Sequence, residues 1–287
     1  MHAHTHIHTN TLAITQSPRQ FSTLHRTVIV SIRSGCSYRL APEHVFPAPL
    51  NDCVKATRYF MANAERFGVD VNRIAVAGDS SGANLAAAVA LRARDENWTP
   101  ALKAQVLFYP PMQAINFNTP SYQRYRCTAH LDLPSLVSAC LAYAFGDVTR
   151  FRLSDFARNG HVSAPALERY RTYVDVSLAH NSTRPIEPPI LAANDTLWEE
   201  LKDVFTDPYF APLMARNLSR MPATFISTAE QDVLLDDGLT YAARLRQDGV
   251  DLQHRHYMTI HGTMSYMFLD AARDLVGDTA DYLRGNL

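Results

Sequence analysis

The run Gly78-Asp79-Ser80-Ser81-Gly82 constrains this chain more than any other five residues. Before it, residues 73–77 (Arg-Ile-Ala-Val-Ala) read as a short buried strand; after it, residues 83–94 are rich in alanine and leucine and favour helix. The backbone must therefore turn from strand into helix within a few residues. Side chains flanking so tight a reversal would collide, which accounts for glycine at both ends of the run. The pattern is G-x-S-x-G, set between strand and helix so that a serine stands at the tip of the turn. The N-terminal N–H groups of the helix and the positive end of its dipole face the same point. Ser80 is thus the candidate nucleophile, Gly78, Asp79 and Gly82 form its elbow, and the Ser81 N–H is the candidate oxyanion donor. The plain alternative is a Gly/Ser turn with no chemistry.

Around this turn, short apolar runs alternate with helical ones. Residues 27–32, 104–109, 223–227 and 252–257 read as strands. Residues 50–67, 237–248 and 271–284 read as amphipathic helices, the first two closed by Gly68 and Gly249. Such alternation predicts a mostly parallel central sheet with helices on both faces. Residues 38–49 are proline-rich and must be irregular. Residues 112–206 break the rhythm with repeated prolines and read as a mostly helical insertion lying over the sheet like a cap. Residues 1–26 show no clear periodicity and stand apart, leaving 27–287 as one domain.

A serine hydroxyl needs a base, and the base needs an acid to orient it. Where the serine stands on such an elbow, the partners follow in the order Ser, Asp or Glu, His, on loops past later strands. Asp232 lies just beyond the strand ending near Ser227, and His261 just beyond the strand ending near Tyr257. Asp236 and Asp237 compete for the acid position. His254 and His256 compete for the base, but they alternate along the strand and do not project from its end.

Composition narrows the alternatives. The 287 residues carry a formal net charge of −1, so no basic surface suggests nucleic acid. No apolar run reaches the length of a membrane span, and the N-terminus has no apolar signal core. Asn97, Asn181, Asn194 and Asn217 begin N-glycosylation sequons, a lean toward a lumenal or secreted history. Cys36, Cys53, Cys127 and Cys140 lack metal-like spacing; one disulfide or free thiols both remain open. His2, His4, His6 and His8 alternate and would line one face of a strand, yet read best as a terminal tract and not as a metal site. Tyr122, Tyr125, Tyr143, Phe145, Phe151, Tyr170 and Tyr173 are candidates for an acyl pocket, with ordinary packing as the alternative.

Together these segments resemble the hormone-sensitive-lipase-like branch of the α/β-hydrolases, nearest the arylacetamide deacetylase and neutral cholesterol ester hydrolase group. The likeness rests on Tyr38-Arg-Leu-Ala-Pro-Glu43, Gly78-Asp-Ser-Ser-Gly-Ala-Asn84, Phe108-Tyr-Pro110, Asp207-Pro-Tyr-Phe-Ala-Pro-Leu213, Gln231-Asp-Val-Leu-Leu-Asp-Asp-Gly238 and Ile260-His-Gly262. It implies an α/β-hydrolase fold, with Asp232 in the acid and His261 in the base position. It also implies serine esterase chemistry on small hydrophobic esters or amides (arylacetamides and lipid esters among them), with no cofactor. The group's placement implies the endoplasmic reticulum lumen or association with its membrane.

Two departures from the pattern bear on activity. Arg33-Ser-Gly-Cys-Ser37 reads as extra residues between strand and motif. No glycine precedes Gly35, so the H-G-G-G oxyanion loop and the strands before it are absent from the expected positions. The sequence therefore also admits a catalytically impaired or truncated relative that binds a hydrophobic ligand or partner without turnover.

Overall fold

The computed structural model describes residues 11–16, 31–128, 130–178 and 194–287. In chain order the elements are β1 (Thr11–Gln16), β2 (Ser31–Cys36), α1 (Ala48–Ala62), β3 (Ile74–Asp79), α2 (Ser81–Asp95) and β4 (Ala104–Phe108). Next come α3 (Pro120–Arg124), α4 (Leu133–Phe145), α5 (Leu153–Phe156), α6 (Ala164–Tyr170) and α7 (Asp195–Phe205). The chain closes with β5 (Ala223–Gln231), α8 (Leu235–Gln247), β6 (Leu252–Ile260) and α9 (Asp270–Asn286).

Among the described residues six strands pair in the order β2-β1-β3-β4-β5-β6. From β3 to β6 every pairing is parallel. Alternate residues of these strands serve two cores. Ile74, Val76, Leu107 and Ile226 face α1, α2 and α8, whereas Ala75, Ala77, Val106 and Phe225 face α9. This is the expected parallel sheet with helices on both faces. The strands run on past their predicted ends, β5 to Gln231 and β6 to Ile260, so the loops that follow start close to Asp232 and His261.

The N-terminal side differs from the sequence reading. Thr11–Gln16, in the stretch without periodicity, is a strand wedged between β2 and β3 and antiparallel to both. The strand expected over 27–32 is found at Ser31–Cys36, and residues 27–30 lie outside the described residues. Arg33 to Cys36, read as extra residues after a strand, are themselves in β2, paired with Ile14 down to Thr11. Main-chain hydrogen bonding to a neighbour makes them a strand, and side-chain pattern carries no trace of that. The tract from His2 to His8 also lies outside the described residues.

The proline-broken middle folds into short helices started by local caps. Asp132 accepts from the Ser135 N–H at 2.8 Å and Asn194 from the Leu197 N–H at 3.1 Å. Among the described residues Cys36, Cys53, Cys127 and Cys140 form no disulfide. Among the described residues no helix is long and apolar enough to cross a membrane.

Candidate active site

Ser80 stands between β3 and α2 with φ 52° and ψ −123°, a conformation that L-residues avoid unless their surroundings force it. Those surroundings are visible in the hydrogen bonds. The Ser80 N–H donates to the Phe108 carbonyl at 2.9 Å, and the Ser80 carbonyl accepts from the N–H groups of Ala83 and Asn84 at 2.9 and 3.2 Å. A Cβ on Gly78 would lie 2.1 Å from the Gly82 carbonyl oxygen, so the elbow closes only over glycine. Asp79 is the last residue of β3, and Ser81 opens α2.

Asp232 follows β5 and is buried, its Oδ1 accepting from the Leu234 N–H at 2.9 Å. A register shift between Ala229 and Gln231 re-aims the strand just before it. His261 follows β6 and is 6% exposed. Its Nδ1 lies 2.8 Å from Asp232 Oδ2, and its Nε2 lies 2.9 Å from Ser80 Oγ. A carboxylate only accepts, so Nδ1 carries the ring proton and Nε2 is left to accept from the serine hydroxyl. Ser80 and His261 lie 181 residues apart in the chain and Asp232 and His261 lie 29 apart, and all three meet at the carboxyl ends of β3, β5 and β6.

The competing residues are engaged elsewhere. Asp236 accepts from the Ser121 N–H at 2.8 Å. Asp237 accepts from the Met112 N–H at 2.8 Å, Gln113 Nε2 at 3.0 Å and the Tyr122 hydroxyl at 3.2 Å. His254 and His256 lie within β6 and share the Thr228 hydroxyl, at 2.9 and 3.0 Å. Among the described residues no three His, Cys, Asp or Glu side chains converge as metal ligands would.

A cavity of about 260 Å³ opens beside Ser80, lined among others by Tyr38, Leu40, Leu136, Tyr143 and Phe210. Of the seven aromatic candidates only Tyr143 reaches it. Tyr125 donates to Glu230 at 2.8 Å, and Phe145 and Phe151 pack on each other. Tyr170 and Tyr173 also pack together. Tyr143 stands on α4, and Leu136, Ala139, Cys140 and Ala142 of the same helix line the cavity with it; a helix apolar on more than one face, as residues 133–145 are, signals such a second buried surface. In the sequence Tyr109 reads only as the end of a strand. It is buried with φ 40°, and its ring packs on that of His261 at 4.8 Å. Its place past β4 matches that of Ser80, Asp232 and His261 past their strands, a positional clue that was legible.

Comparison with known proteins agrees with this fold. A family profile described as the alpha/beta hydrolase fold matches residues 9–167 and 165–265. Neutral cholesterol ester hydrolase 1 of Bos taurus is 36% identical over 255 residues, covering 83% of this chain and 60% of the relative. Arylacetamide deacetylase of Bos taurus is 31% identical over 259 residues, covering 88% of this chain and 64% of the relative. The chain therefore spans less than two thirds of the length of either. Among solved structures a bacterial heroin esterase superposes with TM-score 0.66 at 28% identity, covering 91% of this chain and 66% of that one. These relatives belong to the group that the motifs resemble.

Proposed function

Because the chain belongs to the α/β-hydrolase fold family, we propose that it hydrolyses carboxylic esters of hydrophobic acids through an acyl intermediate on Ser80. The observation that carries this reading is the unbroken hydrogen-bonded chain from Asp232 through His261 to Ser80, at 2.8 and 2.9 Å. His261 Nε2 takes the hydroxyl proton as Ser80 Oγ attacks the ester carbonyl. The resulting oxyanion receives the Ser81 N–H at the start of α2, where the helix dipole adds to the donor. The alcohol leaves with the proton from His261. Water then repeats the sequence on the acyl-serine, releasing the acid and restoring Ser80. Asp232 keeps His261 in the tautomer that accepts from serine and balances the imidazolium as it forms.

The lining of the cavity supports a hydrophobic acyl group, since Leu40, Leu85, Leu131, Leu136 and Phe210 surround the serine with little charge. Residues 112–206 are proposed as a cap, which contributes Leu131 and Leu136 to this lining. Exposed Asn97, Asn194 and Asn217 support passage through the endoplasmic reticulum; a mobility shift after endoglycosidase treatment of protein made in a secretory host tests that.

The test of the activity is labelling by a fluorophosphonate probe. Labelling lost in Ser80→Ala, together with hydrolysis of p-nitrophenyl acyl esters, is the expected outcome. A folded protein that neither labels nor turns over these esters would overturn the proposal and leave ligand binding without turnover.

A further inference from the structure

The loop before α4 carries a second histidine to the site. His130 Nδ1 lies 3.1 Å from the Tyr266 hydroxyl, and the two rings meet edge to face at 5.5 Å. The other side of the imidazole presses on the residue after His261. A Cβ on Gly262 would fall 2.4 Å from His130 Nε2 and 3.0 Å from its Cδ2. Gly262 also holds φ 73°, so glycine there answers both a left-handed turn and a ring packed against its backbone. The rings of His130 and His261 lie 6.1 Å apart. The next residue, Leu131, lines the cavity beside Ser80. One side chain thus joins the loop that lines the cavity to the turn that carries His261.

We propose that His130 is a positioning residue for this site. Neutral, it holds the turn behind His261 through Gly262 and Tyr266; charged, it opposes formation of the imidazolium on His261. The proposal rests on the serine-hydrolase reading above. Tyr266 donates its hydroxyl proton to Nδ1 only while that nitrogen is bare, so protonation of His130 also removes this contact in its present sense. Two positive rings at this separation repel enough to suppress imidazolium formation on the order of tenfold in a partly solvated setting. The charged or titratable groups facing His130 are His261 and Tyr266 from the segment after β6, and Asp232 from the segment after β5. Partial burial and the facing His261 hold His130 below the ordinary histidine range, while Asp232 pulls the other way. The lowered value favours the uncharged, permissive ring near neutral pH.

Two measurements test this. In the first, the His130 imidazole is titrated by NMR in the whole chain and in the His261→Gln variant, without substrate. The midpoint for His130 is expected to rise in the variant, because the coupling between two sites is reciprocal. In the second, kcat/KM on a p-nitrophenyl ester is followed against pH. The acid limb of the native protein is expected to be broader than a single-proton curve, because two mutually repelling rings protonate anticooperatively, and His130→Gln, which still accepts from Tyr266, to sharpen it to one proton with neutral-pH kcat within about threefold. His130→Ala, which accepts nothing, is expected to lower kcat on the order of tenfold with KM little changed. An unchanged His130 midpoint in His261→Gln, or an acid limb indifferent to His130→Gln, overturns the proposal. Loss of probe labelling and turnover in the native protein would instead sink the reading beneath it, and the NMR titration still decides whether the two rings are coupled.

Discussion

Ser80 keeps its left-handed backbone because three hydrogen bonds and two glycines leave it no other, and the same constraint holds its Oγ toward His261. Gly78→Ala drives a methyl group into the Gly82 carbonyl. We expect that variant to lose probe labelling and to recover poorly as soluble protein, measured side by side with Ser80→Ala, which should remain folded. Asp232→Asn removes the only-accepting partner of His261 Nδ1 and lets the ring turn to the wrong tautomer. A fall in kcat of about 10³–10⁴ with KM nearly unchanged is the expected result on a p-nitrophenyl ester. A fall below tenfold would show that the carboxylate does not orient the base. At this scale the sequence was highly legible: the strand–turn–helix setting pointed to Ser80, and order along the chain pointed to Asp232 and His261. His130 was not legible, because nothing local marks a loop histidine whose hydrogen-bond partner Tyr266 comes 136 residues later.

At the scale of elements, Asp237 ties the start of α8 to the segment after β4 by accepting from Met112, Gln113 and Tyr122. Burial pushes its carboxyl up to about 7, against those hydrogen bonds, which pull it down. A raised folded-state value favours the protonated form on folding. The stability it contributes is therefore complete below the ordinary value of 3.8 and lost as pH rises through about 7. Buried His161 and His254, both lowered to about 4, act in the opposite sense, but only as pH falls below the ordinary histidine value of 6.5. Between about pH 6.5 and 8.5 the melting temperature should fall in the native protein. Asp237→Asn stays neutral throughout and gives up one acceptor, so it should melt lower at every pH yet show a flatter dependence over that window. A slope identical to that of the native protein would mean that Asp237 does not titrate there. The sequence offered Asp237 only as a competitor for the acid role. Its actual work depends on residues 112–122 lying beside α8, which no local pattern records.

For the molecule as a whole, the sheet needs both of its faces covered. Among the described residues, α9 supplies Leu275, Tyr282 and Leu283 to the core that buries Ala75, Val106 and Phe225. Leu275 is fully buried, and Leu275→Ala should cost about 2–5 kcal/mol in urea unfolding, with probe labelling at 25 °C retained while the protein stays folded. A cost below about 0.5 kcal/mol would show that α9 is only loosely docked.

By itself the sequence determined the alternation of strand and helix, the elbow at Ser80 and the loops that carry Asp232 and His261. Each of these is written in periodicity, propensity or glycine placement over a few neighbouring residues. Tertiary structure alone decided that Thr11–Gln16 enters the sheet between β2 and β3, since main-chain pairing is indifferent to side-chain pattern. It also decided that Asp232 and not Asp236 or Asp237 reaches His261, and that Tyr109 and His130 pack beside it. Distances between loops far apart in the chain depend on strand lengths, a register shift and the packing of helices, and those are properties of the folded whole.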